Sequence, residues 1–154
     1  MSDEAPMDRY DPDQAPDPAQ WRALSEAERI ALVEDHHRRA GVRVPNMRVH
    51  AGTHAVIESQ AALGNELPVR RAIQRLMDGG LDRHEAVHAV GSVLANTIFA
   101  ISKDRDVSQE AYNAAVEELT VESWRRYLAE DGSIDGTPPA PKGPAKPRRR
   151  LFRG

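Results

Sequence analysis

The chain of 154 residues contains no cysteine. That absence excludes a disulfide framework, a thiolate zinc finger, an iron–sulfur cluster and a cysteine nucleophile. Long apolar runs are missing too: none approaches the roughly 20 residues needed to cross a bilayer. The N-terminus lacks the basic-then-apolar pattern of a signal peptide. These absences lead to the expectation of a soluble, cytoplasmic protein with no membrane partner. Six histidines are present. Without thiolates, any metal must be held by imidazole and carboxylate, a ligand set that suits zinc, iron, manganese, nickel or copper(II).

The net charge of −3 averages two opposed ends. Near the N-terminus Asp3, Glu4, Asp8, Asp11, Asp13 and Asp17 face Arg9 alone. Over residues 133–154 Lys142, Lys146, Arg148, Arg149, Arg150 and Arg153 face Asp135 alone. Both ends are rich in proline and poor in apolar residues, so they bury too little surface to offset ordering entropy. The expected organisation is an acidic, extended or disordered tail over 1–19, a domain over 20–130 and a basic, disordered tail over 131–154.

Within the domain, apolar residues recur at three and four positions, and no stretch alternates with the period of a strand. A first helix is expected from Ser25 to Arg39, opened by the capping box of Ser25 and Glu28 and stopped at Gly41. A second follows Pro45 and Asn46, carrying Val49, Val56, Ile57 and Leu63. A third begins at Pro68 and ends at Gly79–Gly80. The fourth, capped by Asp82, is the most apolar and runs to Ile101. Ser108 opens a fifth, and Thr120 a short sixth with Trp124 and Tyr127. Short connections between amphipathic helices imply an all-α fold, a compact antiparallel bundle of five to six helices. A second copy of the chain could complete the core of so small a bundle.

Four histidines repeat one spacing, His50 with His54 and His84 with His88. Residues four apart stack on one helix face, so each pair can offer two ring nitrogens to one ion. Glu58 continues the first ladder by one turn. His50, His54, Glu58, His84 and His88 are therefore the candidate metal ligands, on two helices facing a bundle interior. Glu34 and His37 form a Glu-x-x-His pair, the spacing used by di-metal carboxylate bundles, and are additional candidates. His36 falls off this face beside Arg38 and Arg39 and is expected at the surface.

His84-Glu85-Ala86-Val87-His88 also matches H-E-x-x-H, in which two histidines hold zinc and the glutamate is the general base of a peptidase. Glu85, however, stands three residues after Asp82, where a carboxylate reaches back to the N-cap amide. The extended motif has Leu94 where its third histidine belongs. Glu58 and Glu85 are thus the two candidate catalytic groups, with zinc, iron or manganese as the expected divalent ion. The rival reading is a non-catalytic helical interaction protein whose histidines are packed and hydrogen-bonded.

The segment Asn46–Ile98 resembles the bacterial family catalogued as domain of unknown function 1841. The resemblance rests on Asn46, His50, His54, Glu58 and Gln60, then Pro68, then His84 and His88. Met47 stands where that family often has proline. Similar members carry a Glu-x-x-His on the first helix, as at Glu34 and His37. The resemblance implies that the two histidine pairs are the functional feature; it brings no activity with it. In the basic tail, Lys146 to Arg153 could lie against phosphate backbones with Phe152 stacking on a base. A short basic run on an acidic chain is more often a solvated tail.

Overall fold

A computed structural model describes residues 5–130 and residue 132. The basic stretch 133–154, with its expected nucleic-acid contact, lies outside the described residues. Among those described, seven α-helices and one 3-10 turn are present and no strand. The order is α1 Pro18–Ala23, α2 Glu26–Arg39, α3 Met47–Ala62, the turn Gly64–Glu66, α4 Val69–Asp78, α5 Arg83–Ser102, α6 Gln109–Glu118 and α7 Val121–Ala129. Together they make a compact helical bundle.

Side-chain caps set most helix starts. Asp17, Ser25, Asn46, Asp82, Ser108 and Thr120 each accept a hydrogen bond from a first-turn amide. At Ser25 the box is complete: Glu28 N–H donates to the serine hydroxyl, and Ser25 N–H donates to the Glu28 carboxylate. Gly41, at φ +70°, turns the chain after α2, in a backbone region costly for residues with a Cβ. Helix α1 lies outside the expected set, although Asp17 followed by Pro18 is a helix-start signal.

Helix α3 packs against α1, α2, α4 and α5 and is the centre of the bundle. Its buried face is not its valine face. His50, Ala51, His54, Ala55 and Glu58 are buried, whereas Val49, Val56 and Leu63 are exposed. Ala51, Ala55, Ala86 and Ala89, buried on α3 and α5, are small enough to let neighbouring helices approach closely. Two apolar clusters flank this pair. The larger is built from α3 to α7 around Ile57, Leu76, Val87, Val90, Val116 and Trp124. The smaller gathers Tyr10, Trp21, Val33, Ala51 and Ala55.

The acidic N-terminal stretch departs from the expectation of a free tail. Residues 5–17 form no regular element, yet Tyr10 is 1% exposed and its ring lies 5.7 Å from that of Trp21. One large aromatic supplies the buried surface that the surrounding prolines and aspartates cannot. Helix α5 is long and apolar enough, by length and composition, to cross a membrane, which modifies the reading of its sequence above. Core helices of soluble proteins pass the same test, and the first half of α5 is buried inside the bundle.

Candidate metal centre

Three helices converge on one cluster of imidazoles. α2 brings His37, α3 brings His50 and His54, and α5 brings His84 and His88 from its first two turns. His37, His54, His84 and His88 each offer a ring nitrogen, and the four atoms lie within 4.8 Å of one another. His37 and His54 are fully buried, and His84 and His88 are half-buried. His54 Nε2 stands 2.9 Å from His88 Nε2, and His50 Nε2 stands 3.1 Å from His37 Nε2. Two imidazoles on one tetrahedral zinc ion, at about 2.0–2.1 Å each, hold their nitrogens about 3.3–3.4 Å apart. These two pairs lie a few tenths of an ångström inside that spacing. The group of four nitrogens, however, spreads over up to 4.8 Å, so an ion would have to draw its outer members inward.

The hydrogen bonds assign the ring protons. His37 Nδ1 is 2.8 Å from the Val33 carbonyl, which can only accept, so Nδ1 carries the proton and Nε2 keeps its lone pair. Tyr10 donates its hydroxyl to Glu58 Oε2 at 2.6 Å. The tyrosine oxygen therefore accepts from His54 Nδ1–H at 3.1 Å, leaving the His54 Nε2 lone pair free as well. In each ring-to-ring contact the partner, His50 or His88, donates N–H to that lone pair. His84 Nε2 is different: it is buried and, among the described residues, has no hydrogen-bond partner. An orphaned buried nitrogen beside three other imidazole nitrogens is the chemistry a cation satisfies.

Burial disfavours the charged form of His37, His54, His84 and His88. Burial, then the neighbouring imidazoles, push His88 from 6.5 down to about 3. The same causes hold His54 well below its ordinary value, and burial is the main cause for His37 and His84. Neutral imidazole is the form that binds metal.

Glu58 is occupied elsewhere. Its Oε1 accepts from Arg83 Nη2 at 2.7 Å, and its Oε2 accepts from Arg83 Nη1 at 2.9 Å and from Tyr10. The pair is buried on both sides, and removing one partner from such a pair leaves an uncompensated charge. Tyr10 is held well above its ordinary value by burial and then by Glu58, so it remains a donor. Glu34 is half-buried and faces Arg48 at 3.9 Å. Of the Glu34/His37 pair, only His37 is among the clustered histidines. Asp82 caps Glu85 N–H, but the Glu85 carboxylate does not return the bond as a capping box requires. It accepts instead from the Trp124 indole at 3.2 Å, because α7 brings that donor within reach. His36 is not a free surface residue. It is half-buried, with its ring edge-on to Tyr10, His37 and His84 at 6.1, 5.4 and 6.1 Å.

Sequence reasoning missed Tyr10 and Arg83. Tyr10 is the one aromatic residue in the first twenty, a signal that something must bury it; nothing in the spacing of Arg83 announces Glu58. No protein-family model, curated protein or solved structure matches the chain.

Proposed function

We propose that this chain is a metal-binding protein whose ion is held by His37, His54, His84 and His88, with His50 as a further imidazole beside His37. The observation that carries this reading is the buried, unpartnered His84 Nε2 within a group of four converging ring nitrogens. The resemblance to the domain of unknown function 1841 family supports it, since both H-x-x-x-H motifs fall in the cluster. A bound zinc, iron or manganese ion would supply a Lewis acid or an activated water, and iron or manganese would add oxygen chemistry.

The chain's own residues keep the ligands neutral, orient them and exclude water from one side of the cluster. The two ring-to-ring hydrogen bonds favour a second reading, a purely structural histidine network. One comparison separates the two. Protein purified without a histidine tag or added metal is analysed for its elements and then titrated with zinc(II), iron(II) and manganese(II). The wild type is expected to carry or take up an ion, and His84→Ala to lose most of that uptake. Because His84 Nε2 makes no hydrogen bond, the metal-free variant should melt close to the metal-free wild type. A wild type that takes up none of the three ions overturns the proposal; a large stability loss in metal-free His50→Ala, which removes one of the ring-to-ring bonds, supports the structural network.

A further inference from the structure

We propose that Tyr10, Glu58 and Arg83 form an outer chain that positions His54 for the ion, which makes the N-terminal segment a working part of the centre. This rests on the metal centre proposed above. Metal-binding histidines usually donate their second ring N–H to a fixed acceptor, which sets the tautomer and the ring orientation and raises ligand basicity. His37 finds that acceptor on its own helix, in the Val33 carbonyl. His54 finds it 44 residues away, in the Tyr10 hydroxyl.

A phenol by itself is an ambiguous partner, because it can donate to Nδ1 as readily as it can accept. Glu58 removes the ambiguity. At 2.6 Å its carboxylate claims the tyrosine proton, so the tyrosine oxygen can face His54 only as an acceptor. Arg83 then holds Glu58 through both carboxylate oxygens. Arg83 is itself tied back to the N-terminal segment by the Pro12 carbonyl at 3.0 Å and the Gln14 carbonyl at 3.5 Å. The chain closes on itself: segment 5–17 supplies Tyr10 at one end and the carbonyls for Arg83 at the other.

The arrangement also gives Glu58 a role other than that of a ligand. Both its oxygens are committed, and its charge is balanced by Arg83, so it acts on the centre through Tyr10 and His54. The ion's protein ligands would then all be imidazoles. The plain alternative is that Tyr10 only fills space against Trp21, in which case its hydroxyl would not matter to the ion.

The test uses the full chain as wild type, Tyr10→Phe and, as control, Tyr112→Phe. Tyr112 is also a buried tyrosine, but it donates to Gln60, outside the cluster. Zinc affinity is measured by competition with a chromophoric chelator, and cobalt(II) spectra report the geometry of the centre. Tyr10→Phe is expected to lose about 10- to 100-fold in zinc affinity and to shift the cobalt(II) bands. Tyr112→Phe is expected to change neither. In the metal-free wild type, nitrogen-15 spectra of the histidine side chains should show His54 protonated at Nδ1, a readout that needs no variant. Zinc affinity of Tyr10→Phe within twofold of the wild type, or His54 protonated at Nε2, overturns the chain. A wild type that binds neither zinc nor cobalt fails at the earlier step and overturns the metal centre itself; metal binding with an unaffected Tyr10→Phe overturns only the positioning role.

Discussion

The histidines of this chain differ less in sequence context than in what their second nitrogen touches. His37 and His54 each spend one nitrogen on an oxygen acceptor and turn the other toward the cluster. Their neutrality has a consequence that can be measured. An unfolded histidine takes up a proton near 6.5, whereas folded His88 does so only at about 3, and His54, His37 and His84 are shifted the same way. Between those values the unfolded chain binds more protons than the folded one, so folding free energy rises with pH. Stability is therefore fully present above about pH 6.5 and is lost as the pH falls toward about 3. The metal-free protein is expected to show a lower urea midpoint at about pH 5 than at about pH 7.5, and equal midpoints would contradict a buried, neutral cluster.

At the scale of elements, the caps made most of the fold legible. Ser25 with Glu28, Asn46, Asp82, Ser108 and Thr120 mark helix starts in the sequence, and the structure begins helices beside each of them. Asp82 matters most for the centre, because the first turn of α5 contains His84. Its carboxylate accepts from Glu85 N–H at 2.7 Å. Asp82→Ala is expected to cost about 1 kcal/mol, read from chemical denaturation of the metal-free protein. No measurable loss would mean that packing of α5 alone fixes that turn. Faces were harder to read than boundaries. Val49 and Val56 look like the apolar side of α3, yet α3 buries its histidine, alanine and glutamate side instead. Periodicity identifies a helix, but which stripe faces inward depends on what the neighbouring helices offer it. Here they offer His37, His88 and Arg83, polar partners that make a polar stripe worth burying.

At the scale of the molecule, the cluster joins the two apolar cores. Val33 and Ala51, near the smaller core, lie on the helices that bring His37 and His50. Val87 and Val90, in the larger, flank His88 on α5. An ion bound between α2, α3 and α5 ties both cores together and stabilises the folded chain by mass action, by about 2.7 kcal/mol at a free concentration of 100 Kd. Adding zinc is expected to raise the melting temperature and a chelator to reverse the rise. A melting temperature indifferent to both would place no ion at this junction.

The sequence by itself determined the ligand chemistry and the helices. Cysteine is absent, so any metal would have to be held by imidazole and carboxylate, and the spacings His50–His54 and His84–His88 place each pair on one helix face through local geometry alone. Only the tertiary structure decided which side chains meet. His37 joins the cluster while Glu34 turns to Arg48. Glu58, one turn beyond His54, goes to Arg83 and Tyr10. Tyr10 reaches the centre from an acidic stretch with no regular structure. The contacts among Tyr10, His54, Glu58 and Arg83 across the fold span 25 to 48 residues, and they follow from how whole helices pack, which local spacing does not encode.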